Sequence, residues 1–219
     1  MELEYREKII MHALYPKKQA TFNLNAMKSL LFYACLFELT EKNILSIESK
    51  KLWCGDNQTG DPVLDVAISL IAPFSGKNIS RMKWLSLIKQ GEIYKKQMEL
   101  MTENHLLSQE DIIFISWKVG NRYRVRKYDL LKPGVAKLER ALVYGRDPDR
   151  QTMIMTVLAG EGNLFNNIFT IREFRKKAKQ RYRELLQSDL FTQDRIISLL
   201  YKSLRKTLTA QKAAASYSV

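Results

Sequence analysis

Apolar residues recur at helical spacing through most of the chain. Between Leu3 and Leu14, the residues Ile9, Ile10, Ala13 and Leu14 fall on one side, and Pro16 ends the segment. A second helix is expected from about Ala26 to Thr40 with Asn25 as its cap. Its Leu30, Leu31, Ala34, Phe37 and Glu38 follow i, i+1, i+4, i+7, i+8 spacing, a core helix with one charge at its end. Asn43 to Glu48 alternates apolar and polar, as a short strand does, and Asp56 to Gly60 is a polar loop. Asp61-Pro62 opens a helix: the carboxylate can cap it, and proline's missing N–H costs nothing at the first helical position. That helix continues through Val66, Ile68, Leu70 and Ile71 until Pro73. Others are expected from about Ser80, with Met82, Trp84, Leu85 and Ile88 apolar, and from Glu92 to Asn104.

Then the period changes. Asp111 to Val119 is β-branched and aromatic, and Arg122 to Tyr128 alternates strictly, with Gly120-Asn121 between them. That order predicts a β-hairpin. After Pro133-Gly134 helices return at about 135–143, 149–158, 170–187 and 193–209, and Ala213 to Val219 is expected to fray. The fold class is therefore mainly α. A helical bundle core is surrounded by amphipathic helices, with a short strand and one basic β-hairpin at about 111–128.

Composition narrows the function more than the fold. The chain has 219 residues, enough to bury a sizeable core, and 46 % of them are hydrophobic, which excludes a disordered tail. Lys and Arg number 36 against 23 Asp and Glu, a net charge of +13 that favours phosphate-bearing partners, nucleic acid or an anionic membrane. Cys35 and Cys54 are too few for a disulfide framework, and with only His12 and His105 no zinc cluster stands out, so neither metal nor other cofactor is expected. The start, Met1 to Lys8, has the wrong polarity for a secretory signal. The richest apolar stretch, Leu30 to Phe37, is far short of the roughly 20 residues a membrane span needs. A soluble, cytosolic protein is expected.

Catalytic motifs are missing. Gly160-Glu-Gly162 lacks the rest of a dinucleotide fingerprint, and Asp147 and Asp149 flank Pro148 as a turn and helix cap would. His105 directly follows a helix end, a capping or packing position more often than a general base. The hairpin is the better lead. With Gly120 and Asn121 as turn residues, Val119 is expected opposite Arg122, Trp117 opposite Arg124 and Ile115 opposite Arg126. An indole beside guanidinium groups suits a membrane interface, where Trp lies at headgroup level and Arg grips phosphate. Phe114, Ser116, Tyr123 and Val125 would face the body. The helix at 170–187 is the second basic feature. Ile171, Phe174, Ala178, Tyr182 and Leu185 form its apolar stripe, and Arg172, Lys176, Lys179 and Arg183 a parallel basic one.

The order of several short motifs resembles the Golgi phosphoprotein 3 family. Leu36-Phe-Glu-Leu39 through Asn43 to Glu48 is similar to the family's apolar helix running into a strand. Thr59-Gly-Asp-Pro-Val-Leu-Asp65 is similar to its "T-G-D-x-x-L-D" helix start. Trp84 to Ile88, Glu103-Asn-His-Leu-Leu107, Asp147-Pro-Asp-Arg150 and Ala178 to Leu186 follow in the family's order, covering roughly residues 3 to 187. The resemblance implies a domain over 1–187 with a helical extension over 188–219, no reaction, and a hairpin used in membrane contact or self-association. Eukaryotic members bind phosphatidylinositol 4-phosphate on Golgi membranes and retain membrane enzymes there. The family's phosphate site uses a Trp and an Arg on the first core helix; Asn23 or Leu24 and Phe32 stand there, and neither is carried over. It also uses two Arg on the helix before the hairpin, where the nearest basic residues are Lys95 and Lys96.

These readings converge on a non-enzymatic peripheral module on the cytoplasmic face of a membrane, the Golgi's if the source is eukaryotic. Its lipid-binding residues would be Trp117, Arg122, Arg124, Arg126, Lys95 and Lys96. The rival is a winged-helix nucleic-acid binder, with 92–104 as recognition helix and the hairpin as wing. It ranks second, because Glu92, Glu99 and Glu103 answer Lys95 and Lys96 on that helix.

Overall fold

Helix α2 (Leu24–Glu41) is the axis of the fold. The computed structural model describes residues 2–15, 23–55, 58–78, 89–114 and 117–216. No residue from Ser29 to Leu39 is more than 1 % exposed, which is why α2 carries apolar residues all round instead of along one stripe. Five helices and a strand enclose it: α1 (Tyr5–Leu14), α3 (Pro62–Ile71), α4 (Gln90–Glu103), α6 (Arg150–Glu161), α10 (Arg195–Ser216) and β1 (Leu45–Glu48). The cap of α2 is Asn23, not Asn25. Its side chain accepts from the N–H groups of Asn25 and Ala26 at 2.9 and 3.3 Å, and so starts the helix two residues earlier than the apolar period suggests.

The charge at the end of α2 is buried as well. Glu38, 1 % exposed, meets an equally buried Arg6 from α1, whose guanidinium also reaches Asp61 at the start of α3. Asp61 meanwhile accepts from the N–H groups of Val63 and Leu64 at 2.8 and 3.2 Å, the cap its sequence position implies, with Pro62 as the first helical residue. One guanidinium thus ties three helices together.

β1 pairs with β2 (Lys51–Cys54), a strand the sequence reading lacks, around a two-residue turn in which Ser49 and Lys50 both have positive φ. β3 (Leu107–Phe114) and β4 (Trp117–Val125) form the second antiparallel pair. Four further helices complete the layer: α5 (Lys132–Leu142), α7 (Phe165–Ile168), α8 (Arg172–Leu185) and α9 (Asp189–Gln193). Ten helices and two strand pairs among the described residues make the fold mainly α. α10 buries Ile197, Leu200, Leu204 and Leu208, and the Tyr33 hydroxyl of α2 lies 2.6 Å from Ser203 Oγ. It runs on to Ser216, through most of the stretch expected to fray, while 217–219 lie outside the described residues. The helix expected from Ser80 also lies outside them.

Gly160 of α6 lies against Tyr182 of α8. A Cβ added there would meet the Tyr182 ring at 2.5 Å, and that ring is pinned by its hydroxyl donating to Glu161 at 2.9 Å and by an edge-on contact with Phe165.

Candidate functional site

The hairpin is held to the body at its open end. Leu107 and Val125 face each other across the first rung, 1 % and 7 % exposed, and Arg126 N–H donates to the Leu106 carbonyl at 2.9 Å. From there the register runs Ser108 opposite Arg124, Gln109 opposite Tyr123, Glu110 opposite Arg122, Asp111 opposite Asn121 and Ile112 opposite Gly120. A bulge follows, and the last rung pairs Phe114 with Trp117.

This register overturns the pairing expected from Gly120-Asn121. Those two residues lie inside β4, and the chain reverses between Phe114 and Trp117. Arg122 and Arg124 therefore face Glu110 and Ser108 instead of Val119 and Trp117. Trp117 and Arg124 share one strand, roughly 23 Å apart at strand rise. The physical reason is that burial of Leu107 and Val125 fixes the rungs at the root, and a one-residue slip would turn that pair to water. Gly120 is used beside the bulge instead of in the turn. Ile115 and Ser116 lie outside the described residues, and 113–114 and 117–120 are described by their backbone alone.

Arg122 and Arg124 of β4, with Arg126 just beyond its end, are exposed and alternate with half-buried Tyr123 and buried Val125, so the three arginines fall on one side of the chain. They are not free of carboxylates: Arg124 Nη2 lies 3.1 Å from Glu110 Oε2. Tyr123 and Val125 pack on the body, as expected. Lys95 and Lys96 sit mid-way along α4 and share one partner, Glu99, at 3.9 and 3.8 Å. The structure thus brings the three arginines together and leaves both lysines on a separate, locally neutralised helix face.

The second basic feature is denser than the sequence stripe implied. Arg172, Arg175, Lys176 and Lys179 of α8 line an open groove of about 690 Å³ with Glu173 and with Asn166 of α7. Arg175 was absent from the stripe read off the sequence. The signal was present, since 172, 175, 176 and 179 stand at i, i+3, i+4 and i+7. The apolar stripe holds at Ala178 and Leu185, which are buried, and at Phe174 and Tyr182, which pack on the core. Ile171 departs from it and is 53 % exposed. It is the N-cap, with extended backbone, and lies outside the helical period.

The remaining chemistry-bearing groups are structural. Asp149 caps α6 by accepting from Thr152 N–H at 2.7 Å, and hydrogen bonding from the Thr152 side chain, with that backbone bond, holds its carboxyl below the usual range. Asp147 pairs with Arg181. His105 takes a left-handed conformation just after α4, the geometry of a helix stop. Burial raises the Cys35 thiol well above its ordinary value, which keeps it protonated and inert. Among the described residues no cluster of His, Cys, Asp and Glu could hold a metal ion, and no helix is long and apolar enough to cross a membrane.

The Golgi phosphoprotein 3 (GPP34) family model matches residues 7–210. No curated protein matches the chain. The match takes in every helix described above apart from the two ends, including the Asp61 helix start and the hairpin, and by it the chain belongs to the Golgi phosphoprotein 3 family.

Proposed function

We propose that the chain is a non-enzymatic peripheral membrane protein that binds anionic phospholipid headgroups, phosphoinositides of the phosphatidylinositol 4-phosphate type among them, and acts as an adaptor for membrane enzymes. Membership of the Golgi phosphoprotein 3 family supports lipid contact in general. The observation that carries the rest is the hairpin register. It collects Ile112, Ile113, Phe114 and Trp117 at the turn end and sets Arg122, Arg124 and Arg126 nearer the root. An apolar tip with a guanidinium collar matches the layering of a bilayer surface, acyl chains below and phosphates above. Ile112, 41 % exposed, is an apolar side chain left to water at the start of that tip.

The test is co-sedimentation with phosphatidylcholine vesicles, with and without phosphatidylserine or phosphatidylinositol 4-phosphate. Binding only to the acidic vesicles, weakened by raised salt, is the expected result. Trp117→Ala should weaken it, and Arg122→Glu/Arg124→Glu should weaken it by about fivefold or more per residue, since each basic side chain near an anionic surface contributes about 1 kcal/mol. Equal failure to bind all three vesicle types would overturn the reading.

A further inference from the structure

The N-terminal half of α8 is built against its own stability. Arg172, Arg175, Lys176 and Lys179 make four like-charged i+3 and i+4 pairs, each of which weakens the helix, and the first two sit at the positive end of its dipole, where Glu173 is the acidic residue of the first turn. Elsewhere the fold answers such charges. Arg181 on the same helix reaches both Asp147 and Glu184, Arg150 reaches Glu41 and Asp194, and Lys95 and Lys96 share Glu99. In the groove, Lys179 donates to Asn166 Oδ1 at 3.2 Å, while the side chains of Arg172, Arg175 and Lys176 have neither hydrogen bond nor ion pair among the described residues. Arg175 is half-buried, and no carboxylate or carbonyl answers its side chain among the described residues.

We propose that this groove is a second anion site, which takes a phosphate monoester group of a membrane headgroup. It rests on the membrane reading above and is separate from the hairpin: α8 packs on α5, α6 and α7, whereas β4 packs on α1 and β3 on α4. Neighbouring cations on one helix face stand about 5–6 Å apart, close enough for two to grip a single tetrahedral anion, and the guanidinium forks of Arg172 and Arg175 can each engage phosphate with two N–H groups. The Asn166 carboxamide at the rim can serve a headgroup hydroxyl, and the volume of about 690 Å³ exceeds what one phosphate needs. Ile171, exposed and next in the chain to Arg172, offers an apolar side chain suited to a bilayer surface.

The experiment compares the full chain with three double variants: Arg175→Glu/Lys176→Glu in the groove, Arg122→Glu/Arg124→Glu on the hairpin, and Lys202→Glu/Lys206→Glu on α10 as a charge-matched control. All six positions but Arg175 and Lys176 lie outside the groove, and circular dichroism checks that each variant is folded. Each protein is sedimented with phosphatidylcholine vesicles containing phosphatidylinositol 4-phosphate and titrated calorimetrically with soluble myo-inositol 1,4,5-trisphosphate. The groove variant is expected to lose about 30-fold or more in vesicle affinity, the control less than about threefold. Equal losses in groove variant and control would overturn the second site, even if the hairpin variant alone kept the membrane reading alive. If the parent chain ignored vesicles but bound the soluble phosphate through the groove, the anion site would stand and the membrane reading would fall. Failure of the parent in both arms would overturn both.

Discussion

Arg6 Nε donates to Glu38 Oε2 at 2.7 Å, with both side chains 2 % exposed. Neither charge could stay there alone. The guanidinium spends its other end on Asp61, so removing it strands a buried carboxylate and half-empties the α3 cap region. Arg6→Ala should therefore cost about 3–5 kcal/mol in denaturant unfolding. Adding Glu38→Gln to that variant should restore part of the loss, because a neutral amide tolerates burial better than an unpaired charge. A single variant within about 1 kcal/mol of the parent would show that the pair contributes little.

His12 gives a pH prediction of definite sign. It closes the last turn of α1, where a helix end favours a cation, yet it is 3 % exposed, and burial with nearby Lys8 pushes its imidazole down to about 4. The folded chain therefore keeps it neutral while the unfolded chain protonates it near 6.5. Its contribution, about 3 kcal/mol at full extent, is present above pH 6.5 and lost as pH falls through 4. The urea midpoint should fall less between pH 7 and pH 4 for His12→Leu than for the parent. Identical slopes would remove histidine from the account.

Gly160 tests the α6–α8 contact. In a solvent-facing helix interior, Gly→Ala stabilises by up to about 1 kcal/mol. Here the new methyl meets a Tyr182 ring that Glu161 and Phe165 hold in place, so overpacking should win and Gly160→Ala should lower stability by about 1–2 kcal/mol. Combining it with Tyr182→Leu should return the helix-propensity gain. A stabilised single variant would mean that the ring moves freely.

Local chemistry explains where sequence reading succeeded. Asp61-Pro62 marks a helix start because cap and proline act within three residues, and α2 shows itself by eleven residues of nearly unbroken burial. Most of the failures are long-range. Gly120-Asn121 has the chemistry of a turn, but the hairpin's register is set by Leu107 and Val125 packing on other helices, and the glycine is spent on a bulge. β2 escaped notice because Ser49-Lys50 makes a turn without glycine or asparagine, and because four residues with exposed Lys51 and Trp53 look like loop. Nothing near Arg6 in the chain announces that its partners lie 32 and 55 residues away. The α8 groove was half legible, since the basic spacing is local while the lack of carboxylate partners is a property of the assembled layer.

The position of α1 has a consequence for how the chain is made. Its His12 carbonyl accepts from Asn167, 155 residues later, and α1 also packs on α6 and α7. At translation rates of about 5–20 residues per second, that partner follows about 8–30 s behind it. Throughout that interval the newborn α1 carries Ile9, Ile10 and Met11 with one flank uncovered, so a helix made well before its partners is sealed only when they arrive.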